Sequence, residues 1–166
     1  MKPSKIISRL IATAVSAQKN AYCPYSRYPV GAAILTESGR IFAGCNVENA
    51  SYGLSLCAER VAIFNAVTRR QLGIRAVCVV ANSAKPCGAC RQVMFEFSTR
   101  ETELYLVDLN PRTRRQKVRR TYVHKMLPDA FDPLSSGLLP AHPQNLIKAR
   151  SSLSAQHRTG KARRKR

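Results

Sequence analysis

The sequence predicts an α/β sandwich followed by a basic tail. The first observation is the order of its segments, in which a hairpin precedes an alternation of helices and strands. The second is composition: 45% of the 166 residues are hydrophobic, which is enough to build a core and excludes wholesale disorder. The third is a change near residue 133, beyond which Pro, Ser and Gly become frequent.

An amphipathic helix is predicted at the start of the chain. Apolar residues between positions 6 and 15 recur at helical spacing, which predicts a helix over residues 5–19. The basic residues in front of them imitate a signal peptide only faintly. No apolar run in the sequence approaches the roughly 20 residues that a transmembrane helix needs, so no membrane partner is expected.

A hairpin and two helix–strand pairs follow. Residues 29–35 and 41–47 are apolar and β-prone, and the segment Glu-Ser-Gly-Arg at 37–40 is a turn signal between them. Periodicity and β-prone runs predict the remaining elements: helices over 56–67 and from 88 through 97, and strands over 76–81, 104–109 and, at an edge of the sheet, 118–123.

The net charge of +19 comes mostly from the C-terminal part of the chain. The first 110 residues carry 13 basic and 7 acidic side chains, whereas the last 56 carry 15 and 2. We place a domain over residues 1–132 and a basic, disordered tail over 133–166, because the tail has too few large apolar groups to offset chain entropy. Its charge is compatible with a solvated segment, a targeting signal or weak nonspecific contact with nucleic acid.

Three of the six cysteines lie where helices are predicted to begin. Cys57 opens one helix, and Cys87 and Cys90 lie at the start of the next. Without a convincing export signal, the spacing Cys-Gly-Ala-Cys indicates metal or redox chemistry rather than disulfides. Two helix N-termini aimed at one point would place three thiols around a zinc ion and leave its fourth position open, as in catalytic sites. Glu59 is close enough in sequence to reach a water in that position.

Two other interpretations of the cysteines are weighed against this one. Cys87 and Cys90 by themselves resemble a thioredoxin-like redox pair. Alternatively, Cys45 could be the fourth ligand of a closed, structural zinc site. Three thiolates would leave a net charge of −1 on a zinc cluster, and we expect the helix N-termini and Arg60, with Arg91, to compensate it.

Four motifs together resemble the cytidine deaminase family, in particular its small homotetrameric branch with three cysteines. They are Tyr-Ser-Arg-Tyr-Pro-Val-Gly-Ala-Ala at 25–33, Gly-Cys-Asn-Val-Glu-Asn-Ala-Ser-Tyr-Gly at 44–53, Cys-Ala-Glu-Arg at 57–60 and Pro-Cys-Gly-Ala-Cys-Arg-Gln at 86–92. Leu127-Pro128 followed by Phe131 is similar to the C-terminal motif of the family. The resemblance covers about residues 5–132.

The resemblance implies a fold, a cofactor and a reaction. The fold is a three-layer α/β/α sandwich with a mixed five-stranded sheet. Cys57, Cys87 and Cys90 would hold one zinc ion per chain. The reaction would be hydrolytic deamination of cytidine and deoxycytidine in cytoplasmic pyrimidine salvage, in which zinc-activated water attacks C4 and Glu59 shuttles protons.

The resemblance also assigns residues to the substrate. Asn46 and Glu48 would bind the ribose hydroxyls, and the backbone of Ala58 would contact the base. Tyr28 stands where the family usually has a Phe that packs against the pyrimidine, so its hydroxyl needs a partner if it is buried. Three residues would complete the site of a neighbouring subunit in a homotetramer: Ala50, Tyr52 and Phe131.

The chain departs from the family in its shorter loop at residues 81–85 and in its tail. The alternatives that remain are deamination of a related nucleoside, such as a cytosine-containing antibiotic, and deamination of cytosine in a polynucleotide whose phosphates are held by the basic stretch at 112–120 and the tail. A nucleic-acid-binding module with a structural zinc is the alternative outside the enzymes.

Overall fold

The computed structural model describes residues 4–110, 112–113, 115–143 and 145. Eight helices and strands carry the fold: α1 (Lys5–Gln18), β1 (Gly31–Thr36), β2 (Ile41–Cys45), α2 (Ala58–Val67), β3 (Ile74–Ala81), α3 (Gly88–Glu96), β4 (Ser98–Leu109) and β5 (Gln116–Tyr122). Two short 3-10 helices follow β2 and β5, at Tyr52–Leu54 and Val123–Met126.

The strands form one mixed sheet in the order β2-β1-β3-β4-β5. The pairs β1–β2, β1–β3 and β4–β5 are antiparallel, whereas β3 and β4 are parallel and joined through α3. This confirms the predicted α/β sandwich with a mixed five-stranded sheet. The main difference is β4, which begins at Ser98 instead of residue 104, because its first residues are polar and give no strand periodicity in the sequence.

Helices cover both faces of the sheet. On one face, α1 packs against a core that includes Cys78 and Val80 of β3. On the other face, α2 and α3 pack against a core that includes Val77 and Val79 of the same strand. Because both faces of β3 are covered, the strand is apolar along almost its whole length.

Two glycines let the helices approach the hairpin closely. A Cβ atom at Gly31 would lie 2.2 Å from the carbonyl oxygen of Ala14 in α1. A Cβ atom at Gly44 would lie 2.4 Å from the amide nitrogen of Ala62 in α2. The absence of a side chain at Gly44 therefore sets the distance between β2 and the helix that begins after Cys57.

The described chain continues past the predicted domain boundary at residue 132. Pro133 and Pro143 are buried, and a ring nitrogen of His142 lies 3.2 Å from the carbonyl oxygen of Ser98. Residues 144 and 146–166 of the predicted disordered tail lie outside the described residues. No helix in the described part of the chain is long and apolar enough to cross a membrane.

Candidate metal centre and active site

The three candidate ligands lie at the N-termini of α2 and α3. Cys57 and Cys87 immediately precede these helices and have the extended backbone of an N-cap residue, with ψ of 153° and 169°. Neither side chain makes a capping hydrogen bond to its own helix. Cys90 is buried in the first turn of α3. The thiols are therefore directed away from their helices and toward one another.

The distances between the thiols fit a zinc ion. The three Sγ atoms lie within 4.8 Å of one another, and those of Cys57 and Cys87 are 3.8 Å apart. Thiolates placed tetrahedrally around zinc, each at about 2.3 Å, lie roughly 3.8 Å from one another. Among the described residues, this is the one group of His, Cys, Asp and Glu side chains close enough to hold a metal.

Cys45 does not belong to this cluster. Its Sγ atom lies 3.3 Å from the carbonyl oxygen of Asn20, and the group of thiols that lie within 4.8 Å of one another contains only Cys57, Cys87 and Cys90 among the described residues. The structure thus brings together three thiols, one more than a redox pair needs and one fewer than a closed four-thiolate site needs.

Arg60 provides positive charge at the cluster. Its Nη2 donates a hydrogen bond to the carbonyl oxygen of Ser55 and lies 3.9 Å from Cys57 Sγ. The hydrogen bond with Cys90 and the nearby guanidinium of Arg60 lower the pKa of Cys57, which favours its thiolate.

The guanidinium of Arg91 binds backbone instead of sulfur. Its Nε donates to the carbonyl oxygen of Pro86 at 2.9 Å, and its Nη1 donates to that of Met126 at 3.1 Å. Arg91 therefore joins the residue before Cys87 to the 3-10 helix after β5. Sequence reasoning missed this role because Met126 is 35 residues away in the chain.

Glu59 lies in the first turn of α2 and is only 3% exposed. Its Oε2 atom is buried and has no hydrogen-bond partner among the described residues. Burial raises the pKa of Glu59 to about 7, with a smaller contribution from the negative charge of Cys57. A buried carboxyl oxygen without a protein partner, two residues after a candidate ligand, is suited to exchange protons with a bound molecule.

Asn46 and Glu48 both organise the segment in front of β1. Asn46 Oδ1 accepts a hydrogen bond from the amide of Val30 at 2.8 Å, and its Nδ2 donates to the carbonyl oxygen of Tyr28 at 3.0 Å. Glu48 Oε2 accepts from the amides of Tyr25 and Ser26 at 2.9 and 3.2 Å.

Hydrogen bonds keep the Glu48 carboxylate charged. The Ser26 side chain, followed by the two amides, lowers the pKa of Glu48. The backbone partners of Asn46 and Glu48 are only 16 to 23 residues away in the chain. No local pattern in the sequence predicts these hydrogen bonds. Both side chains keep part of their hydrogen-bonding capacity for another molecule, because an amide and a carboxylate each have further donor or acceptor positions.

Tyr28 has the partner that its hydroxyl requires. Oη donates to the carbonyl oxygen of Asn82 and lies 3.3 Å from that of Ser83. These residues follow β3 and precede Cys87. Ala58, the other residue expected near the base, is fully buried as the first residue of α2.

The residues expected to serve a neighbouring subunit are on the surface of this chain. Tyr52 is 75% exposed and Phe131 is 61% exposed, and Ala50 is exposed as well. The Tyr52 ring meets the ring of Tyr25 edge to face, with centroids 5.9 Å apart. The Phe131 carbonyl accepts a hydrogen bond from Gln92 of α3 at 2.8 Å.

Comparison with known proteins finds deaminases that are similar to this chain. Residues 4–106 match the family described as the cytidine and deoxycytidylate deaminase zinc-binding region. The curated cytidine deaminase of Sporosarcina psychrophila is 44% identical over 128 residues, which are 75% of this chain and 90% of the relative. That of Halalkalibacterium halodurans is 44% identical over 125 residues, 74% and 91% of the two chains.

Solved structures give the same result. The crystal structure of cytidine deaminase from Burkholderia pseudomallei matches with a TM-score of 0.68 and 44% identity, over 75% of this chain and 98% of that one. Cytidine deaminase from Mycobacterium tuberculosis matches with a TM-score of 0.63 and 38% identity, over 75% and 96%. By its sequence, its fold and its three-thiol centre, this chain belongs to the cytidine and deoxycytidylate deaminase family.

Proposed function

We propose that the chain hydrolytically deaminates cytidine and deoxycytidine to uridine and deoxyuridine with the help of one zinc ion. The observation that carries the proposal is the convergence of three thiols beside the buried carboxyl of Glu59. The curated relatives that are 44% identical are cytidine deaminases, which supports the substrate.

The roles of the residues at the centre follow from their positions. Cys57, Cys87 and Cys90 hold the zinc. Zinc, when bound, supplies the Lewis-acid chemistry that lets water act as a nucleophile near neutral pH. Glu59 accepts a proton from the attacking water through its unpartnered oxygen and passes it to N3 of the cytosine ring. Once the C4–O bond has formed, Glu59 takes the proton that remains on that oxygen and delivers it, as a general acid, to the amino group, which departs as ammonia.

The residues around the centre bind and orient the nucleoside. Asn46 and Glu48 bind the ribose hydroxyls with the hydrogen-bonding capacity that the 25–30 segment leaves free. The backbone of Ala58 contacts the base, and the ring of Tyr28 packs against it. A negative carboxylate beside the sugar disfavours a flanking phosphate, which favours a free nucleoside over a polynucleotide.

Cytidine turnover by the purified protein tests this function. We expect loss of the ultraviolet absorbance of cytidine, with about one zinc per chain in the same sample. Full zinc occupancy without turnover of cytidine or deoxycytidine would contradict the proposed substrate. Cytosine-containing antibiotic nucleosides and single-stranded polynucleotides are then the substrates to compare.

We propose that the active form is a cytoplasmic homotetramer that serves pyrimidine salvage. The exposed aromatic rings of Tyr52 and Phe131 support an interface, because large apolar groups at the surface are typical of contacts between subunits. In such an assembly Ala50, Tyr52 and Phe131 complete the substrate pocket of a neighbouring copy.

The basic tail at 133–166 makes weak, nonspecific contacts with nucleic acid through its Lys and Arg side chains.

A further inference from the structure

The loop of residues 82–85 connects the end of β3 to Pro86 and Cys87. Asn82, Ser83 and Lys85 are exposed, and only Ala84 is buried. Ser83 has a φ of +63°, in the left-handed region that residues other than glycine rarely occupy. A mostly exposed loop with such a backbone needs contacts from outside to hold one conformation.

Two side chains from other parts of the chain supply those contacts. The Tyr28 hydroxyl donates to the carbonyl oxygens of Asn82 and Ser83. The Asp108 carboxylate of β4, which pairs with the last residue of β3, accepts a hydrogen bond from the Ala84 amide at 2.6 Å. Three consecutive loop residues are therefore bound by two side chains.

Tyr28 is itself held on the substrate side of the site. Its amide donates to Ser26 Oγ at 3.1 Å, and its carbonyl accepts from Asn46 Nδ2 at 3.0 Å. Burial, together with the negative charges of Asp108 and Glu59, raises the pKa of Tyr28, so its hydroxyl keeps the proton that it donates. Tyr28 and the loop, the two features around the site that the sequence predicts to differ from the family, are thus in direct contact.

We propose that Tyr28 is a positioning residue. Its hydroxyl binds the 82–85 loop, and so positions Pro86 and Cys87 relative to the segment to which Asn46 is hydrogen-bonded. Removal of the hydroxyl lets the loop move and weakens the hold of Cys87 on the metal. The ring, which faces the base in the proposed pocket, stays in place in a Phe variant. We therefore expect KM to change little while kcat falls.

The variant Tyr28→Phe tests the proposal in the full-length holoprotein. We expect faster hydrogen exchange at the amides of Ala84 and Lys85. Release of zinc to a chromogenic chelator should be about three- to tenfold faster, because this factor corresponds to the net free energy of one hydrogen bond. Tyr105→Phe is the matched control. It removes a tyrosine hydroxyl that donates to Glu103 on the opposite face of the sheet, and it should behave as the wild type.

Asp108 provides a second, independent test. Asp108→Ala removes the acceptor for the Ala84 amide and should accelerate exchange and zinc release in the same way. Asp108→Asn keeps an oxygen acceptor and should restore values close to the wild type.

Wild-type rates of exchange and of zinc release in Tyr28→Phe would overturn the proposal. The role in holding Cys87 rests on the proposed zinc site, whereas the loop contact does not. If the wild type fails to bind zinc or to convert cytidine, the proposed function fails, and hydrogen exchange at Ala84 still decides whether Tyr28 holds the loop.

Discussion

The Sγ atoms of Cys57 and Cys87 lie 3.8 Å apart, although the two residues are separated by 30 positions in the chain. Each cysteine immediately precedes a helix, and the two helices pack side by side on the same face of the sheet. The positive ends of both helix dipoles therefore point toward one cluster of sulfur atoms, which stabilises the thiolates that zinc requires.

Glu59→Gln should retain about one zinc per chain and lose most of its activity. The amide has the same shape, but it cannot accept and return the proton of the attacking water. General acid–base catalysis is worth roughly 100-fold to 10,000-fold in rate, so we expect kcat to fall by that range. Steady-state kinetics and zinc analysis on the same sample measure both effects.

Glu37→Gln is the matched control for this variant, because Glu37 is an exposed carboxylate in the turn of the hairpin. Its kcat should equal that of the wild type. Normal turnover by Glu59→Gln would exclude Glu59 as the proton carrier.

Replacement of single cysteines should distinguish those that bind zinc from those that do not. Cys87→Ser should lose most of its zinc, because a hydroxyl is a poor substitute for a thiolate ligand. Cys45→Ser should keep the metal, since Cys45 lies next to the Asn20 carbonyl instead of the thiol cluster. Atomic emission on the purified variants gives the zinc content per chain, and loss of zinc from Cys45→Ser would point to a closed site with four thiolates.

Two inactive variants should restore activity to each other if subunits share their sites. Glu59→Gln lacks the proton carrier, whereas Phe131→Ala lacks the ring proposed to complete a neighbouring pocket. When the two variants are refolded together, sites that combine Glu59 from one chain with Phe131 from another should be active. Random assembly of equal amounts gives this combination in about a quarter of all sites. Each variant refolded alone is the control, and no gain on mixing would contradict a contribution of Phe131 to another subunit.

Gly44→Ala should destabilise the protein and displace Glu59 in the candidate metal centre. Its Cβ would lie 2.4 Å from the backbone of Ala62, so α2 would have to move and shift Glu59 with it. Overpacking of this kind costs about 1–3 kcal/mol in the free energy of unfolding. Gly53→Ala is the control for stability, because nothing lies within 4 Å of a Cβ there, and thermal unfolding of both variants measures the difference.

Deletion of residues 146–166 should leave nucleoside turnover unchanged and weaken binding to DNA. The deleted segment carries 8 of the 28 Lys and Arg residues but no proposed site residue. Its loss should also make the dependence of DNA affinity on salt shallower, because fewer counterions are released. A salt titration of DNA binding measures this, and unchanged binding would contradict a role of the tail.

A deletion that begins at residue 134 should behave differently. It also removes Pro143, which is buried, and His142, which contacts the Ser98 carbonyl. We expect this longer deletion to lower the Tm, whereas the shorter one should not. Equal Tm values for both deletions would show that the contacts of residues 134–145 do not stabilise the domain.

The sequence by itself determined the kinds of elements and their order. Helical periodicity, β-prone runs and turn residues are local signals, so they predicted all eight helices and strands. The placement of Cys57, Cys87 and Cys90 at helix starts was also local, since the N-terminus of a helix is marked by its own first turn. The polar start of β4 was the exception. Its first residues give no periodic signal of their own, and they belong to the strand because of its pairing with β3.

Tertiary structure alone decided which side chains meet. The direction of Arg91 toward Met126, the hold of Asn46 on Val30 and the contact of Tyr28 with the 82–85 loop each join segments distant in the chain. Such contacts depend on how the helices and loops pack around the sheet, and periodicity carries no information about that packing. The chemistry of the centre could therefore be inferred from residue types, whereas the positions of its supporting side chains follow from the folded chain.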